Sequence, residues 1–349
     1  TKRFKWLGWL GIIAPFLILS FYCALGGYCI KYVTVNLGNL FNAGFGTGGL
    51  GGAEVFGGLL TNQGESVIYG LIFVLITLLI VMCGVSNGIE KVCSVGMPAL
   101  FILLVICIIR SCTLEGASEG LKYMFVPGWA LANGVIKEAP DFFSVVSTAG
   151  GQMFFSLSLG MAAMITYGSY LDKKENLQKN AIIIVVMDTL VALMAGLCVI
   201  PGRFALDPTG TLGGPSLLFV TMQNVFDRMG AAGPIFGILF YLLVLFAALS
   251  SSISLLEAVV AHFVDKARDE GKGDKRKLYS LIGAIGAGIL CVIVCLDALG
   301  NAGISPADIL GMRVDPSDEV PTWSADWLDF FDCIAEGILM PLGALLMSI

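Results

Sequence analysis

The sequence predicts an all-α membrane protein, and three observations carry that reading. Hydrophobic residues make up 57% of the chain against 13% charged. Mean hydropathy is +0.88, more apolar than a soluble core requires. Apolar runs long enough to cross a bilayer recur from one end of the chain to the other. No linker separates a second unit, so residues 1–349 read as a single transmembrane domain. A formal net charge of -6 and the lack of any basic stripe argue against nucleic acid as a partner and leave the lipid bilayer as the medium.

Taken in order, the apolar runs fall at Trp6–Val35, Val67–Cys83, Val95–Ile109, Phe142–Tyr170, Ala181–Ile200, Pro234–Val264, Leu278–Leu296 and Trp327–Ile349, which makes eight spans. With a cytoplasmic start, the inner loops hold Lys91, Lys173, Lys174, Lys179 and the basic run Lys266–Lys277. The outer side before the last span is acidic, with Asp308, Asp315, Asp318, Glu319 and Asp326. The positive-inside rule then orients the chain in a plasma (inner) membrane as a multi-pass protein. The ten cysteines lie in or beside apolar segments without a CxxC pair or metal-ligand spacing, and read as small buried hydrophobes.

The fourth span differs from the others because its helix breakers sit in the middle. Ser156, Ser158 and Gly160 are poor helix formers at alternate positions, and serine side chains compete for backbone hydrogen bonds. Two structures are open to these residues. One is a helix from Phe142 that opens near Ser156 and restarts around Met161, with freed backbone groups lining a wet site. The other is a continuous helix whose small residues serve close packing.

Three further intramembrane features carry ionisable or hydroxyl groups, which are costly at that depth and usually functional. Asp188 lies in the otherwise apolar fifth span, as a functional carboxylate or as a hydrogen bond to a neighbouring helix. Ser250, Ser251 and Ser254 fall on adjacent helical faces of the sixth span, where hydroxyls suit a hard cation such as Na⁺ or simply close packing. Tyr22 is a phenol at mid-span beside small residues. Two short motifs are set aside. Gly44–Gly49 matches GxGxxG but follows a membrane helix rather than a strand, and reads as an outer loop. Gly271-Lys272-Gly273-Asp274 matches GxGD, yet a protease acting on membrane substrates needs that Asp inside a span. His262, at the inner end of the sixth span, reads as an interfacial residue.

Phe154–Met161, Thr166–Tyr170, Ala247–Ser254 and Gly88-Ile89-Glu90-Lys91, with Arg110–Leu114 and Gly116–Leu121, resemble the bacterial branch of the neurotransmitter:sodium symporters over essentially the whole chain. The resemblance implies an inverted-repeat (5+5) transporter fold. Its third to tenth helices are present here, and the family's first two and its last fall outside this sequence. It implies no enzyme activity but a sodium-coupled symporter that imports neutral hydrophobic amino acids by alternating access. A membrane scaffold or regulatory protein that keeps the fold without transport is the alternative.

Residue by residue, the resemblance assigns substrate contacts to Ile18, Tyr22, Phe155, Ser156, Ser158, Met161, Ser251, Ser254 and Leu255. One Na⁺ site would use Ser156 and Asp188, the other the Ala247 carbonyl, Ser250 and Ser251. Gln152 and Asp329 would gate the outer side, and Tyr170 with Asp265 would brace the inner side. Gly88 and Pro98 would let a helix unwind. Chloride is not expected, because Asp188 supplies a fixed negative charge where animal relatives carry Asn.

Overall fold

The computed structural model describes residues 7–84, 90–211, 213–273, 275–313 and 320–348. Gly88, Asp274, Asp315, Asp318 and Glu319, which bear on the readings above, lie outside the described residues. Seven helices among the described residues are long and apolar enough to cross a membrane. The remaining predicted span, the fourth, is the broken one. It is built from Phe142–Ser156 and Ala162–Tyr170, with Leu157–Met161 unwound between them.

Two long helices form the centre, Leu7–Phe41 and Gly233–Asp269, and they make the most extensive helix pair in the molecule. Around them stand Gln63–Met82, Glu90–Cys112, Leu177–Leu206 and Arg276–Asp297. The last span is Trp327–Asp332 and Met340–Ser348, joined through Cys333–Leu339 at the wider π pitch. Most helices extend beyond the predicted runs: the first reaches Phe41 rather than Val35, and the fifth run becomes Leu177–Leu206. Hydropathy marks the membrane depth, whereas a helix continues into polar sequence until a cap stops it, as Asn176 begins one by accepting from the Lys179 amide.

Lipid tails are as apolar as leucine, so these helices associate through close packing rather than expulsion of water. Gln63–Met82 shows the division. Ile68, Leu71, Ile72, Leu75 and Leu79 form one exposed stripe at helical spacing, while Gly70, Phe73, Thr77 and Val81 are buried on the other side. At Gly27 an added Cβ would lie 2.5 Å from the Gly70 amide nitrogen, so the first helix approaches backbone to backbone there.

Two buried clusters share the first helix. Residues such as Ile18, Met161, Ile253, Leu256 and Met340 form the cluster that includes the break, and an aromatic group of Tyr28, Tyr32, Phe56, Phe219, Phe226, Phe240 and Tyr241 belongs to the other. The cysteine reading needs one correction. Six of the ten are buried, but Cys83 is exposed beyond the end of Gln63–Met82, and Cys93, Cys112 and Cys333 are half-buried. Apolar neighbours in sequence do not place a residue in the core when the helix ends beside it.

Candidate functional site

The site is organised by the break. The outer half-helix stops at Ser156, after which Ser158 takes a φ of 53° and Gly160 one of 76°. The backbone turns back on itself, with the Ser158 amide donating to the Phe155 carbonyl at 3.1 Å and the Leu159 amide to the Phe154 carbonyl at 2.9 Å. Only glycine fits at 160, because a Cβ there would sit 2.0 Å from the Met340 carbonyl oxygen. The inner half-helix begins at Met161 with no side-chain cap, so its first amides and its positive dipole end face the break.

A cavity of about 920 Å³ opens at this point. Its walls contain Ile18 and Tyr22 from the first helix, Gln152, Phe155, Ser156, Ser158 and Met161 from the broken one, Asp188, and Ser250, Ser251, Ser254 and Leu255 from Gly233–Asp269. Thus all nine residues assigned to substrate stand on one cavity, from three separate elements. Its volume suits a small organic molecule, and its lining is mostly apolar with a few convergent hydroxyls and two carboxylates, Asp188 and Glu90.

The polar groups are already paired. Ser156 Oγ donates to Asp188 Oδ1 at 2.7 Å, so the two members of one assigned Na⁺ site touch across helices. Ser250 Oγ donates to the Ala247 carbonyl at 2.8 Å, which brings together two oxygens of the other. Tyr22 and Ser251 face the same cavity from the first helix and from Gly233–Asp269. Carboxylate, hydroxyl and carbonyl oxygens are the donor set a hard cation takes, and the residues present fit such an ion.

A family model for the sodium:neurotransmitter symporter family matches residues 60–311. The uncharacterized sodium-dependent transporter YhdH of Bacillus subtilis is 34% identical over the whole chain, which covers 70% of that protein. The chain belongs to the sodium:neurotransmitter symporter family. An uncharacterized sodium-dependent transporter of Haemophilus influenzae is 34% identical over 77% of the chain and 56% of its own length. The crystal structure of MhsT in complex with L-phenylalanine superposes with a TM-score of 0.76 at 34% identity, covering all of this chain and 71% of that one. The chain spans between about half and three quarters of the length of these relatives.

The pair assigned to the inner side differs from the sequence reading. Tyr170 does not meet Asp265: its hydroxyl donates to Glu257 Oε1 at 2.6 Å. Glu257 is fully buried and its other oxygen binds Arg276, whose Nε donates to the Val81 carbonyl at 3.1 Å. Asp265 lies eight residues further along the same helix, about 12 Å nearer its inner end, and pairs with Arg268 at the surface. Glu257 and Arg276 were missed, although a carboxylate inside an apolar span is the same signal that singled out Asp188. Glu90, Cys93, Met97 and Tyr167 also line the cavity and were not singled out.

Of the outer gate residues, Gln152 reaches the cavity wall, while Asp329 lies on Trp327–Asp332 with its amide held by Asp326 Oδ1 at 2.7 Å. Asp326, just before that span, has its carboxyl raised above the ordinary range by burial, against the pull of the Asp329 and Leu328 amides. Pro98 sits inside the continuous helix Glu90–Cys112, so that helix is wound at the proline. His262 is half-exposed near the inner end of its helix and packs on Trp9 and Phe263.

Proposed function

We propose that the protein imports neutral, hydrophobic L-amino acids across the plasma (inner) membrane, coupled to Na⁺ and working by alternating access. The observation that carries this reading is the convergence of the nine assigned substrate residues on one apolar cavity beside Ser156–Asp188 and Ala247–Ser250. The Tyr22 hydroxyl and the uncapped start of the inner half-helix suit the substrate carboxylate, and carbonyls of Phe155 and Ser156 suit its ammonium. Ile18, Phe155, Met161 and Leu255 form the side-chain pocket. Met161 is unbranched and can repack, so the pocket accepts residues as different as Leu and Trp. The bound L-phenylalanine of MhsT agrees with that class.

Two Na⁺ sites follow. In the first, Ser156 and Asp188 supply a hydroxyl and a carboxylate. In the second, the Ala247 carbonyl with Ser250 and Ser251 supplies neutral oxygens. A cation buried at this depth needs a compensating negative charge, since an uncompensated one in low dielectric is costly. Asp188 provides it, and chloride is not required.

Scintillation-proximity competition with the complete protein tests the substrate class: Leu, Phe, Met and Trp compete, and preference for Glu, Lys or Gly over all of them overturns it. Uptake in gluconate matches uptake in chloride. Strict chloride dependence contradicts the role given to Asp188.

A further inference from the structure

The inner half-helix Ala162–Tyr170 carries two tyrosines one turn apart, Tyr167 and Tyr170, and each phenol reaches Gly233–Asp269. Tyr170 holds Glu257, as described above. One turn nearer the break, the Tyr167 hydroxyl donates to Ser254 Oγ at 2.9 Å. Ser254 in turn donates to the Ser250 carbonyl at 3.0 Å. The two contacts are parallel rungs, because Tyr167 and Tyr170 share one face of the short helix, and Ser254 and Glu257 share one face of the long one. Their surroundings differ. The Glu257 rung ends on an arginine, whereas the Tyr167 rung ends on the backbone of the segment that holds Ser250 and Ser251.

We infer that Tyr167 is a positioning residue that ties the inner half-helix to the second Na⁺ segment, so that separating the half-helix toward the inner side must disturb Ser250. The inference rests on the transport reading of that segment. It assigns Ser254 a role beyond lining the substrate pocket: its hydroxyl relays the position of Tyr167 to the Ser250 carbonyl. Neither residue needs to touch the ion. A hydrogen bond between two neutral hydroxyls is one ordinary contact, so losing it shifts the closed-to-open balance of the inner side by about five-fold.

Cys93 reports that balance, because it lines the same cavity from Glu90–Cys112 and is half-exposed. The complete protein is treated with N-ethylmaleimide with and without Na⁺, and modification of the Cys93 peptide is followed by mass spectrometry. Na⁺ slows the wild-type reaction. In Na⁺, Tyr167→Phe and Ser254→Ala each speed it about five-fold, the double variant is no faster than either single one, and Ser254→Thr stays near wild type. A merely structural effect of two separate deletions multiplies in the double variant, and that result overturns the inference. So do wild-type rates in both single variants. If Na⁺ leaves wild-type labelling unchanged, the transport reading itself fails; if Na⁺ slows wild type and the variants match it, the Tyr167 relay alone fails.

Discussion

The broken helix and the long helix Gly233–Asp269 both place several serines in apolar sequence, yet only one of them opens. In the long helix three of the four neighbouring hydroxyls turn back on their own backbone: Ser250 bonds the Ala247 carbonyl, Ser252 the Leu249 carbonyl and Ser254 the Ser250 carbonyl. Those bonds are satisfied within a turn and the winding survives. In the broken helix Ser156 instead reaches Asp188 on another helix, and Ser158 takes a left-handed φ. Serine content alone therefore does not break a membrane helix. The opening is held by outside partners, above all the close fit of Gly160 on Met340 and of Gly343 on the Gly160 carbonyl.

The sharpest way to break this contrast is Gly160→Ala. The new Cβ meets a backbone carbonyl at 2.0 Å and the residue must keep a φ of 76°. Overpacking of this kind costs about 1–3 kcal/mol and left-handed backbone about 1–2 more. We expect loss of the unwound segment and of all substrate binding, with a clear drop in thermal stability of the purified protein. A variant that binds normally would show that the break does not depend on this contact.

Next comes Asp188→Asn. It keeps an acceptor for Ser156 but removes the charge, so the fold persists while Na⁺-driven uptake falls by about 100-fold, the scale of a buried ion left without roughly 3 kcal/mol of compensation. Equal uptake by Asp188→Asn and wild type would reduce Asp188 to a hydrogen-bond partner.

The smallest effect belongs to Ser252→Ala. Ser252 is fully buried, bonds Thr77 at 2.9 Å and lies among the other serines without lining the cavity. Its loss costs about 1 kcal/mol of stability and leaves Na⁺ affinity unchanged. A change in Na⁺ affinity as large as that of Ser251→Ala would mean that the serines act as a group rather than by position.

What the sequence made legible follows from the same contrast. The spans could be read from apolar runs, and Tyr22, Asp188, Ser250, Ser251 and Ser254 because a hydroxyl or carboxylate stands out against apolar neighbours, whereas the apolar cavity residues Ile18, Phe155, Met161 and Leu255 came only through the family resemblance. The break itself was only one of two readings, since what holds it open, Met340 and Gly343, lies some 180 residues away. The partner of Tyr170 was misread for a related reason. Asp265 and Glu257 are both carboxylates on one helix, and only the depth at which the inner half-helix crosses it selects Glu257. Burial then explains Arg276, because a fully buried carboxylate needs a paired charge.

The central claim is that the break and the neighbouring serines together form a sodium-dependent amino-acid site. Equilibrium binding of radiolabelled L-phenylalanine to the complete protein in Na⁺ and in K⁺, for wild type and Ser251→Ala, tests it most directly. The account predicts saturable binding in Na⁺, none in K⁺, and a binding curve for Ser251→Ala that needs at least ten-fold more Na⁺, about 1.4 kcal/mol for one lost oxygen ligand. An isotherm that is the same in Na⁺ and K⁺ would contradict it.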